Sequence, residues 1–343
     1  MDNYKSRKNY ITLLSVVSAF AVVLLHSNGC FWSFSRERYW ITANIIDAVF
    51  YFAVPIFFMI SGVTLIDYHK KYSTKEYFKN RIKKTFIPFL VWSFIGLLFQ
   101  IFYTKDIAIS DINIKYLYNG IVNTSFVSIY WFFIPLFIIY LCIPLFSMVE
   151  DDKKIKLFKY LCVIGILFNS LFPFINTIGN FELSLPINIP VVSGYLLYPI
   201  LGYLLDKKEF SKKERFLLYI ISILGLLIHI IGTYQVSMEA GKVLRTFKGY
   251  NNIPSLMYSI GVFVFLKQIG NKITNYKIIS VISKYTFSIY LMHWYLLVIM
   301  EDTFSINNHS IIYRLGAPLV VIPLCMIITY LLRKIPIIKR IVP

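Results

Sequence analysis

Between residues 10 and 332 the sequence returns repeatedly to mostly apolar stretches, each near the length that crosses a bilayer. A hydrocarbon core of about 30 Å needs about 20 such residues in helical form. Ten stretches suggest themselves, roughly 10–27, 41–66, 86–103, 129–148, 157–174, 187–205, 216–235, 253–268, 278–300 and 311–332. Helix is the expected state, because a bilayer forces every backbone polar group to be paired internally. No segment alternates in the manner of a barrel strand. Composition agrees, with 57% hydrophobic and 15% charged residues in a chain of 343. That leaves too little polar surface to cover two or three water-soluble domains. The expectation is an all-α integral membrane protein, a bundle of about ten transmembrane helices filling 1–343 with no soluble domain. The longest outer connections, 104–128 and 236–252, are too small to bury a core. The sixth stretch carries Pro190 and Pro199 and the eighth is short, so departures from a straight span are expected there.

The net charge of +18 would suit a nucleic-acid binder, but the basic residues lie between apolar runs and are not pooled in one region. With both termini cytoplasmic, 27 of the 35 basic residues fall on the inner side: Lys5, Arg7, Lys8, then the 70–84, 153–159, 207–215, 267–284 and 333–340 segments. The positive-inside rule therefore favours that orientation. Lys5, Arg7 and Lys8 ahead of an apolar run imitate a signal peptide, yet no small-residue cleavage site follows. Ser27, three positions before Cys30, is not the leucine of a lipoprotein signal. An uncleaved first helix is expected. Cys30, Cys142, Cys162 and Cys325 are scattered and read as small hydrophobes. No internal repeat suggests the inverted halves of many transporters. The Ile, Lys, Asn, Tyr and Phe bias fits an AT-rich bacterial genome.

Ionisable groups inside a span are costly and mark function by default. Four stand out, His26, Asp47, His229 and His293, all expected on the outer side of the bilayer midplane. Each has an ordinary alternative. His26 could sit among headgroups, His229 could hydrogen-bond between helices, and His293 beside Trp294 could join an aromatic belt. Asp47 is harder to dismiss, since a carboxylate there needs a partner or water. His69 and His309 lie in loops. In the segment 67–85, seven Lys and Arg residues face Asp67 and Glu76. Topogenic charge with anionic-lipid contact explains most of them. Arg81 and Lys84, three apart on one helix face, could also grip the phosphates of a cytosolic donor. No metal-ligand spacing and no phosphate-cradling glycine loop is present.

Four segments together resemble the membrane-bound acyltransferase family 3, which includes O-acetyltransferases of bacterial surface polysaccharides and peptidoglycan. They are Val22-Val23-Leu24-Leu25-His26-Ser27, Val54-Pro55-Ile56-Phe57-Phe58-Met59-Ile60-Ser61-Gly62 followed by Arg81-Ile82-Lys83-Lys84, Trp131-Phe132-Phe133-Ile134-Pro135 with Tyr140 and Pro144, and Phe287-Ser288-Ile289-Tyr290-Leu291-Met292-His293-Trp294. Their order covers nearly the whole chain. Three departures stand out. Ser15 occupies the place of the family's arginine eleven residues before the first-helix histidine. Ile129, followed by Tyr130, replaces a histidine ahead of the Trp-Phe segment. Lys84 stands in a usually double-arginine pattern.

The resemblance implies transfer of an acyl group, most often acetyl, from acyl-CoA to a hydroxyl of a cell-surface carbohydrate or its lipid-linked precursor. Acetyl-CoA would be a co-substrate, not a resident cofactor. His26 would be the general base, with a covalent acyl-histidine step as the open alternative; Asp47 would orient or polarise it, and Arg81 and Lys84 would hold the donor's phosphates. Ser61, Tyr290 and His293 would line the substrate cavity. A bacterial plasma membrane is the implied location, with membrane lipids as neighbours, no nucleic acid, and self-association left open. The rival class is a flippase or exporter of surface polysaccharide without acyl-transfer chemistry. A sensor or scaffold has no positive feature in the sequence.

Overall fold

The computed structural model describes residues 2–181, 190–336 and 338–342. The side chains of Lys5, Arg7, Lys8 and Arg340, and residues 187–189 of the expected sixth span, lie outside the described ones. Among the described residues the regular structure is helical throughout, and eight helical stretches are long and apolar enough to cross a membrane.

The helices in chain order begin with α1 (Asp2–Ser27), α2 (Arg38–Phe50), α3 (Ala53–Leu65), α4 (Thr74–Arg81) and α5 (Ile87–Phe99). Next come α6 (Ile114–Val122), α7 (Phe133–Ser147), α8 (Asp151–Ile166), α9 (Phe172–Gly179) and α10 (Leu197–Lys207). The chain finishes with α11 (Lys212–Ala240), α12 (Ile253–Gly270), α13 (Lys277–Ser283), α14 (Thr286–Thr303) and α15 (Ile311–Leu332). Central α1 packs against α3, α12, α14 and α15. Around it lie the pairs α11 with α12, α3 with α10, and α8 with α10.

Proline chemistry explains several local departures. The expected second span is two helices, broken at Tyr51 and Phe52. Pro55 has no N–H to bond the carbonyl four residues earlier, at Tyr51, so the helix restarts. Two wide π turns, Ile82–Phe86 and Leu167–Leu171, each end two residues before a proline, Pro88 and Pro173. They absorb the missing donor while the helix continues. Other ends are set by capping. Ser211 and Glu214 close a capping box at the start of α11, and Gly241 ends it at φ +65°.

Two of the ten expected spans fall short of that standard. The described part of the sixth reduces to α10, 11 residues long, about 16 Å at the helical rise. A short turn at Pro190–Val192 and Gly194 at φ +60° precede it. The ninth is interrupted at Lys284 and Tyr285, and α14 carries Tyr290, His293, Glu301 and Asp302. The short eighth is intact as α12.

α10 is fixed by an unusually close crossing with α3. A Cβ on Gly62 would lie 1.8 Å from the Pro199 carbonyl oxygen, and one on Gly202 would lie 2.3 Å from that of Met59. At the end of the bundle where α1 begins, charges are knitted together. Fully buried Lys154 donates to Asp67 at 3.0 Å and to Asp151 at 3.2 Å. Lys207 lies 3.4 Å from Asp67, and Lys267 donates to the carbonyls of Leu205, Asp206 and Lys208. Lys154, Lys207 and Lys267, which from sequence count among the inner basic charges, are thus structural ties as well.

Candidate active site

His26 occupies the last turn of α1, and the residues after it hold that turn in place. The Ser27 hydroxyl donates to the carbonyl oxygens of Leu24 at 3.0 Å and Arg314 at 2.8 Å. The Asn28 amide donates to Ala43 at 2.8 Å. Arg314, on α15 and 1% exposed, donates to Asn28 Oδ1 and the Tyr39 carbonyl, each at 3.2 Å, and to Thr42 Oγ1 at 2.8 Å. α2 and α15 are therefore pinned around the end of α1. In the sequence Arg314 reads only as one of the outer charges.

A cavity of about 710 Å³ opens beside this end, within the usual range for ligand pockets. His26, Asp47 and Tyr290 lie on its wall, with Tyr51, Trp131 and Lys248. Lys248 was not foreseen. It comes from the loop between α11 and α12, yet its side chain is fully buried and its ammonium contacts Asp47 directly. The cation also lies 3.9 Å from the ring centre of Tyr51 and 4.6 Å from that of Phe31. Asp47 thus meets its counter-ion in Lys248, and its one hydrogen bond among the described residues is to that ammonium, not to His26.

Aromatic stacking builds the rest of the wall. Tyr250 lies on Tyr51 at 4.2 Å and on Trp131 at 5.5 Å. Arg245, at the mouth, sits 4.7 Å above Trp32. Tyr290 donates to the Ile129 carbonyl at 2.5 Å, while Tyr130 returns a bond to the Leu291 carbonyl at 2.6 Å. This reciprocal pair ties α14 to the turn before α7, at the place where Ile129 and Tyr130 depart from the family pattern. Ser15, the other notable departure, donates to the Thr286 hydroxyl at 3.2 Å.

The remaining expected residues are distributed unevenly. His293, fully buried, is not on the wall but directly behind His26, ring centres 5.1 Å apart. His229 stands edge-on to Tyr51 at 5.0 Å, and neither ring nitrogen has a partner among the described residues. The expected interhelical hydrogen bond is therefore replaced by ring packing. Ser61 is off the wall. Its hydroxyl donates to the Phe57 carbonyl at 3.2 Å, beside the α3–α10 crossing that takes up Gly62.

The π turn before Pro88 begins between Arg81 and Lys84. Arg81 is half-buried, leaning on Tyr140 at 5.4 Å and Tyr77 at 5.9 Å, whereas Lys84 is exposed. Neither reaches the cavity wall. A file of rings separates them from it. Tyr290 contacts Phe133 at 5.5 Å, Phe133 contacts Phe137 at 5.9 Å, and Phe137 contacts Tyr140 at 6.5 Å.

Among the described residues no group of His, Cys, Asp and Glu could hold a metal ion. A family model described as an acyltransferase domain matches residues 8–332. No curated protein and no solved structure matches the chain.

Proposed function

The chain belongs to the acyltransferase family whose model spans residues 8–332, and from that premise we propose that it moves an acyl group, acetyl in the simplest case, from acyl-CoA to a carbohydrate hydroxyl. The acceptor in this reading is a cell-surface glycan or its lipid-linked precursor. The observation that carries it is His26, on a locked helix end, open to an aromatic-walled cavity large enough for a sugar.

In this proposal α10 and α14 complete ten spans, both termini are cytoplasmic and the cavity faces outward across a bacterial plasma membrane. Arg81 and Lys84 then lie on the cytosolic side and hold the donor's phosphates. The pantetheine arm reaches His26 by displacing rings of the Tyr290, Phe133, Phe137 and Tyr140 file. His26, as neutral imidazole, takes the proton of the attacking hydroxyl. The hydroxyl oxygen bonds the thioester carbon, the carbon–sulfur bond breaks, and the leaving sulfur recovers the proton. Asp47 serves by holding Lys248, and with it the loop that forms one wall. Tyr290 and the stacked Tyr250 and Trp131 receive the sugar.

The test is a deletion strain of the native host complemented with wild type or His26→Ala. Mild alkali releases ester-linked acyl groups from the surface glycan, and the polymer is quantified in parallel. The expected result is loss of the ester with a normal amount of polymer. Loss of the polymer itself would favour an exporter, and unchanged acylation in His26→Ala would overturn the assignment.

A further inference from the structure

We infer that His293 is the hydrogen-bond acceptor that positions His26 during acyl transfer, so that the base of this site works as an imidazole pair. The inference rests on the reading of His26 as the base and deepens it.

The geometry assigns the tautomer. His293 Nδ1 lies 2.9 Å from the Ile289 carbonyl oxygen. A carbonyl only accepts, so Nδ1 carries the hydrogen, and a neutral imidazole then has a bare lone pair on Nε2. That nitrogen is fully buried and has no hydrogen-bond partner among the described residues. Leaving such an acceptor unpaired costs about 1–3 kcal/mol, and the neighbouring ring that can relieve it is His26, 5.1 Å away with the ring planes inclined at 41°. Two imidazoles joined nitrogen to nitrogen have centres about 5 Å apart, given an N···N separation of about 2.9–3.0 Å. The separation already fits such a bond, and a rotation of the His26 ring supplies the alignment.

Position completes the argument. His26 fronts the cavity and His293 stands behind it, away from the wall. The two carboxylates on the cavity wall are engaged elsewhere, Asp47 by the Lys248 ammonium and Glu301 by the Tyr313 hydroxyl. When His26 accepts the hydroxyl proton on one nitrogen, the N–H on its other nitrogen donates to His293 Nε2. His26 then passes the proton to the leaving sulfur, so the sugar hydroxyl loses a hydrogen, the thiol gains it, and both imidazoles end unchanged. A neutral acceptor performs this task without burying a second negative charge in the bundle. His293 is thus a positioning residue, acting through His26.

Membrane vesicles from cells expressing the full chain are supplied with radiolabelled acetyl-CoA at varied concentration, and alkali-labile label in endogenous glycan is followed. His293→Leu is expected to lower kcat about 100-fold, with KM for acetyl-CoA changed by less than about threefold. His293→Gln, whose carboxamide oxygen can accept a hydrogen bond, is expected to recover about tenfold of that loss. His293→Phe replaces the leucine variant if the latter fails to reach the membrane. An apolar variant with near wild-type kcat, equal rates for the apolar and Gln variants, or an effect confined to KM would overturn the inference. The His26→Ala control separates the two levels. If it is inactive while the apolar variants are active, only the pairing fails. If it transfers label normally, or wild type transfers none, the reading of the site fails as a whole.

Discussion

At the level of single residues, the cost of buried charge decides what each group does. Asp47 and Lys248 are 201 positions apart and fully or nearly buried together. Removing one partner of such a pair costs about 3–5 kcal/mol, whereas replacing both by apolar groups is often neutral or better. Asp47→Leu should therefore sharply lower the melting temperature of the purified protein, and adding Lys248→Met should restore most of it. Equal damage in the single and double variants would contradict that coupling. The sequence made His26 and Asp47 legible, because ionisable groups in apolar runs are conspicuous. It did not reveal Lys248, which lies in a polar loop where one more lysine carries no signal. Asp47's need of a partner was readable, but the partner depended on how the loop after α11 folds back. Arg314 is a different case, since a charge at the end of an apolar stretch reads as flanking until its three acceptors are seen.

Among the helices, prolines and glycines account for most of the distance between ten expected spans and the elements observed. The apolar runs located every long helix, but a run cannot show where Pro55 breaks it or where a π turn ahead of Pro88 rotates the next turns of helix. Arg81 and Lys84, neighbours by spacing, face different surroundings across the start of that turn. The α3–α10 crossing is equally invisible in one dimension, because it requires Gly62 and Gly202 to meet backbone. Gly202→Ala should destabilise the protein by about 1–3 kcal/mol through that overlap, read as a lower melting temperature. Gly316→Ala on α15, where a Cβ meets nothing within 4 Å, is the control and should be neutral or slightly stabilising. Equal melting temperatures for wild type and Gly202→Ala would contradict the close crossing.

For the whole molecule, the proposed orientation has His26 on one side of the membrane and Arg81 on the other. A cysteine introduced at Lys242 should react with an impermeant maleimide on intact cells, and one at Lys79 only after permeabilisation. The reverse pattern would invert the orientation and separate the cavity from an outer acceptor. The family was readable end to end in four segments, and the match over residues 8–332 bears that out. The cavity was not, since its wall gathers α1, α2, α3 and α14 with residues from several connections that no single motif contains. In the proposed reaction acyl groups pass from a donor on the cytosolic face to an acceptor met at His26. Sealed inside-out vesicles from expressing cells, given radiolabelled acetyl-CoA outside, test it directly. Wild type should deposit alkali-labile label on glycan protected within the lumen, and His26→Ala should deposit none. Equal labelling by the two would rule out transfer at His26.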